Sequence, residues 1–84
     1  MSEFTVEDLR QIVREVAGAD TGVDVEGAAP GATYEEIGLD SLAVLEITAR
    51  LAQRTGREIP EGLVEKETTL QDTVALLHAG RSAA

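Results

Sequence analysis

Glu36-Ile37-Gly38-Leu39-Asp40-Ser41-Leu42-Ala43-Val44-Leu45-Glu46 is the stretch on which the fold turns. A glycine and an acid lead into a run whose apolar residues recur at helical spacing, so a helix starts at Asp40 or Ser41. Asp40 is a good N-cap, its carboxylate placed to accept from the backbone amide of Leu42 or Ala43. Leu42, Leu45, Ala49 and Ala52 line one stripe of this helix, Val44, Ile47 and Leu51 widen it, and Gly56 ends it at about 41–55.

Upstream, Val6, Leu9, Ile12, Val13 and Val16 share one face of a first helix, about 5–17. Thr5 caps it, Glu7 and Asp8 occupy the turn where the helix dipole favours anions, and Gly18 stops it. Residues 18–40 form a long loop with five glycines and Pro30, pinned to the core by Ile37 and Tyr34. Its stretch 19–33, with few apolar anchors, is expected to be the most mobile part.

Downstream, Ile59-Pro60 is an extended dipeptide before a short helix at about 62–67. Thr69 and Asp72 have the spacing of a capping box that opens the last helix, about 70–80. Leu70, Val74 and Leu77 are its inward residues, Gly80 its end, and Arg81 to Ala84 a frayed tail. No run has strand period and no hairpin turn is evident. The expected fold is all-α, a small bundle of three main helices and one short one, in a single domain over 1–84.

Composition narrows the function. The 84 residues are 43% apolar, enough for one packed core, with no segment near the roughly 20 apolar residues needed to cross a bilayer. The acidic start argues against a signal or transit peptide, and a cytoplasmic location is expected. The net charge of −9 is uneven: residues 1–40 hold ten acids and two bases. Such a chain repels nucleic acid and anionic lipid and is steered toward basic protein surfaces. With no Cys there is no disulfide, no thiolate metal site and no thiol nucleophile.

The segment 36–42 sets a serine in the first turn of a helix, directly after an acidic loop. The free amides and positive dipole end there tolerate a phosphate, and a serine hydroxyl is well placed to bear a phosphoester. The plain alternative is that Asp40 and Ser41 only cap a helix. A serine hydrolase does not fit, because the Gly-x-Ser-x-Gly elbow is missing and the single histidine, His78, sits near the end of the last helix. His78 reads as a solvated helix-end residue. A calcium loop at Asp20–Gly31 fails at its sixth and twelfth positions, Val25 and Gly31, and the glycines match no nucleotide-binding fingerprint. No metal site is expected.

Gly38-Leu39-Asp40-Ser41-Leu42, preceded by Tyr34-Glu35-Glu36-Ile37 and followed by Ala43-Val44-Leu45-Glu46, resembles the acyl carrier protein motif. The likeness covers nearly the whole chain and is greatest to the discrete carriers of type II aromatic polyketide synthases. Fatty acid carriers usually have a more acidic helix after the serine, which Arg50 and Arg54 interrupt here. Peptidyl carriers typically have Gly or His where this chain has Leu39-Asp40. A fatty acid or other specialised acyl carrier is the alternative, and a non-enzymatic acidic helical adapter a remoter one.

The resemblance implies a non-catalytic subunit that bears covalent 4′-phosphopantetheine, from coenzyme A, on Ser41. On that arm it would carry malonyl units and a growing poly-β-ketone as thioesters. The implied partners are a phosphopantetheinyl transferase, a malonyl transferase, a ketosynthase with its chain-length factor, a ketoreductase and cyclases, met by a monomer. Asp40 would assist the transferase encounter. Recognition is expected from acids around Ser41, namely Glu35, Glu36, Asp40 and Glu46, with Leu42 and Val44 as exposed apolar contacts. Arg50 and Arg54 are expected to solubilise or to pair with nearby acids.

Overall fold

A computed structural model describes residues 4–18, 23–60 and 62–82. Among the described residues four helices follow one another: α1 (Val6–Ala17), α2 (Tyr34–Ile37), α3 (Ser41–Thr55) and α4 (Leu70–Ser82). The described residues form no strand, only an isolated antiparallel bridge between Thr33 and Thr69. None of their helices is long and apolar enough to cross a membrane.

Local chemistry starts α1 as the sequence predicts. The Asp8 amide donates to Thr5 Oγ1 at 3.2 Å and the Thr5 amide donates to Asp8 Oδ2 at 2.9 Å, a reciprocal capping box. Leu9, Ile12 and Val13 are fully buried, and α1 packs them against α3 and α4.

The loop after α1 is better anchored than its glycines suggest. Val25 and Ala28 are buried, the Asp24 amide donates to Ile37 O at 3.1 Å, and the Gly27 amide donates to Asp24 Oδ1 at 3.0 Å. Arg10 donates to Ala28 O, and Arg14 bonds Glu26, which holds the Glu26 carboxyl below its ordinary range. The expectation of few apolar anchors in 19–33 is therefore corrected over 23–33; residues 19–22 lie outside the described residues.

The short helix is also not where the sequence reading put it. It is α2, opened by a second capping box in which the Glu36 amide donates to Thr33 Oγ1 at 3.1 Å and the Thr33 amide to Glu36 Oε1 at 2.8 Å. Gly38, at φ 111°, turns the chain from α2 toward α3, a conformation that side chains other than glycine's resist. Residues 62–67 run through turns and bends with no helix. Its backbone serves α2 instead of a helix of its own: Lys66 O accepts the Glu35 amide at 3.0 Å, and Thr68 O accepts the Tyr34 amide at 3.3 Å.

The face of α3 is the third correction. Val44, Ile47 and Leu51 are buried, whereas Leu42 is 76% and Leu45 42% exposed. The two stripes both have helical spacing and lie two residues, about 200°, apart around the helix. Sequence periodicity alone cannot rank them; contact with α1 does.

In α4, Leu70, Val74 and Leu77 point inward as predicted, and the helix runs two residues past Gly80. Thr69 Oγ1 accepts the Asp72 amide at 3.0 Å. His78 is half-buried and not solvated: its Nε2 lies 3.0 Å from Phe4 O, tying the end of α4 to the start of the chain.

Candidate carrier site at the head of α3

Asp40 and Ser41 divide the work at the start of α3. The Ala43 amide donates to Asp40 Oδ1 at 2.9 Å, so the carboxylate carries the cap. Ser41 is the first residue of α3 and is exposed, with a hydroxyl the cap does not use. Leu42, the next residue, stands out into solvent.

The four acids expected around the serine have different local duties. Glu36 is held by its capping box. Glu35 pairs with Lys66 Nζ at 3.6 Å, and Glu46 with Arg50 at 3.3 Å. Arg50 and Arg54 also meet Glu15 of α1, at 3.4 and 3.5 Å, so these arginines pair with acids. All of these pairs are half-exposed, so each contributes at most about 1 kcal/mol. Asp40 lies between α2 and α3 and remains exposed.

Val44 does not belong to this surface. It is 2% exposed and part of the core, so the expectation that it offers an apolar contact is wrong. Leu45 is the exposed apolar residue beside Leu42, three positions on along the outer stripe; the i,i+3 spacing is the signal that would have found it.

Beside Ser41 lies an open cavity of about 530 Å³, walled by Val44 and Leu45 of α3 and by Gly62, Val64, Glu65, Lys66 and Glu67. Lys66 is not among the site residues that the sequence predicts, because it shares this cavity with Ser41 only through the tertiary fold. A smaller cleft of about 190 Å³ lies between the C-terminal half of α3 and α4, lined chiefly by Leu51, Ile59, Pro60, Leu63, Leu76 and Leu77. The first cavity mixes apolar wall with one cation and two acids; the second suits an alkyl or acyl segment.

Fold and site together define a small helical bundle, with an exposed serine hydroxyl at the head of a capped helix and acidic side chains about it. Known proteins agree. The phosphopantetheine attachment site family matches residues 7–77. The granaticin polyketide synthase acyl carrier protein of Streptomyces violaceoruber is 33% identical over all of this chain and 99% of its own length. The actinorhodin polyketide synthase acyl carrier protein of Streptomyces coelicolor is 36% identical, covering 89% of this chain and 87% of its own. Among solved structures, the 3,5-dioxohexyl form of the actinorhodin carrier superposes with a TM-score of 0.79 at 34% identity, over 99% of this chain and 96% of that one. The holo form of the same carrier gives 0.74 at 35% identity over the same shares. This chain belongs to the phosphopantetheine attachment site family and, within it, to the acyl carrier proteins. Its prosthetic group is covalent phosphopantetheine.

Proposed function

We propose that Ser41 bears the 4′-phosphopantetheine arm, and that the chain carries malonyl units and a growing poly-β-ketone as thioesters among the enzymes of a discrete polyketide synthase. The observation that carries the assignment is the division of labour at the head of α3: Asp40 caps, and the exposed Ser41 hydroxyl is left for esterification. The group supplies, when bound, the thiol that a chain without Cys lacks. The residues fit it, since Ser41 opens on a cavity that Lys66 also lines rather than on a packed wall.

The chain itself performs no catalysis. It acts as one carrier domain over residues 1–84, a cytoplasmic monomer, and tethering raises the effective concentration of its cargo at each active site. Partners are the phosphopantetheinyl transferase, malonyl transferase, ketosynthase with chain-length factor, ketoreductase and cyclases. Their docking surface is the head of α3, with Leu42 and Leu45 as the apolar centre and Glu35, Glu36, Asp40 and Glu46 as charged rim. Small, salt-sensitive interfaces suit a carrier that must leave each enzyme quickly. The granaticin, actinorhodin and oxytetracycline synthase carriers among its relatives support this pathway over fatty acid synthesis.

Intact-mass analysis after treatment with a transferase and coenzyme A tests the assignment. Wild type gains a single arm and Ser41→Ala gains none while staying folded. An arm on the Ser41→Ala variant overturns it.

A further inference from the structure

Resting on the assignment of Ser41, we propose that Lys66 is the phosphate-binding residue of the attached arm: it gives up Glu35 and seats the phosphodiester in the cavity between the head of α3 and the 62–67 turn.

Lys66 is the only lysine in the chain, and the only base that lines the Ser41 cavity among the described residues. Arg10, Arg14, Arg50 and Arg54 are committed to carboxylates on or beside α1 and α3. A phosphodiester at Ser41 adds a negative charge to a neighbourhood that already holds Asp40, Glu65 and Glu67. Those acids repel it, and among the described residues that line the cavity Lys66 is the one cation that can offset them.

The backbone of Lys66 is fixed while its ammonium is not. Its carbonyl accepts the Glu35 amide, and the Glu65 amide and Thr68 Oγ1 close the turn at 3.0 Å. The ammonium meets Glu35 only at 3.6 Å, beyond hydrogen-bond length, with both side chains around half exposed. Such a pair is weak and readily exchanged. A phosphodiester tethered beside it offers a charge-assisted hydrogen bond instead, at high effective concentration. The exchange has a consequence for partners. Glu35 loses its cation once the arm is attached, so the loaded chain presents a carboxylate that the unloaded chain keeps paired.

The test compares wild type, Lys66→Met and Lys66→Arg, each treated with transferase and coenzyme A and checked by intact mass. Failure of wild type to gain an arm at Ser41 would sink the functional reading; the outcomes below concern proteins that have gained it. Because there is one lysine, its side-chain ammonium gives one NMR signal. That signal should move on loading in wild type. The phosphorus resonance of the arm should shift in Lys66→Met and return toward the wild-type position in Lys66→Arg. Alkylation of the arm's thiol should be about two- to fivefold faster in Lys66→Met, the range open to a half-exposed ion pair. An unmoved lysine signal in loaded wild type overturns the proposal without any variant. So do wild-type phosphorus shift and alkylation rate in Lys66→Met.

Discussion

Tyr34 Oη and Thr73 Oγ1 lie 2.7 Å apart in the core and join α2 to α4 across 39 positions of sequence. Thr73 Oγ1 donates to Thr69 O at 2.9 Å, so its single proton is spent there and the phenol is the donor to Thr73. The bond anchors the short helix that leads into Asp40 and Ser41. Tyr34 is fully buried, and burial pushes its phenol up to about 12.

The first prediction follows from that phenol. Its folded value is raised above the ordinary 10.0, so the stability it contributes is complete below pH 10 and is lost as pH rises toward 12. The loss over that window is of order 2–3 kcal/mol. Tyrosinate absorbance reports it cleanly, since the chain has one tyrosine. Ionisation should coincide with loss of helical circular dichroism; a phenol that titrates near 10 in the folded protein would contradict the burial argument. Tyr34→Phe should remove the step and cost about 1 kcal/mol at neutral pH.

A second prediction separates cap from attachment point. Asp40→Ala should cost about 1 kcal/mol in chemical denaturation, through the lost bond to the Ala43 amide, and should slow arm attachment. Ser41→Ala should change stability by no more than about 0.5 kcal/mol, the range of surface substitutions. Equal destabilisation by the two would mean that Ser41 is structural.

The third concerns the two stripes of α3. Val44→Ala should destabilise by about 1–3 kcal/mol because it empties a core position. Leu42→Ala and Leu45→Ala should be nearly neutral in thermal unfolding and should weaken transfer from partner enzymes. Loss of transfer in Val44→Ala at a temperature where it is fully folded would restore Val44 to the recognition surface.

The fourth uses the Glu46–Arg50 pair. Arg50 partly offsets Glu46, so Arg50→Gln should speed loading by a basic partner at low salt, while Glu46→Lys should slow it. Both differences should fade as the screening length falls from about 10 Å at 0.1 M to about 3 Å at 1 M salt. Stopped-flow loading rates across ionic strength check this. Identical rates for both variants and wild type at low salt would remove Glu46 from the docking surface.

By itself the sequence determined the three long helices, the cap at Asp40, the serine beside it, the acidic balance and the missing thiol. Those features are written within a few neighbouring residues: a capping carboxylate reaches an amide three positions on, and a glycine ends a helix where it stands. Even the Thr33–Glu36 box of α2 was legible in this sense, though four residues are too few to show a period. Tertiary structure decided the rest. Val44 faces inward and Leu45 outward because α1 packs on one of two stripes that are equivalent in period. The 62–67 segment is not a helix because the Lys66 and Thr68 carbonyls turn to accept amides of α2. Lys66 meets the Ser41 cavity through the same pairing, across 25 positions of chain. Helical period is a local property, whereas the choice of face and the meeting of distant side chains depend on which surfaces the whole chain buries together.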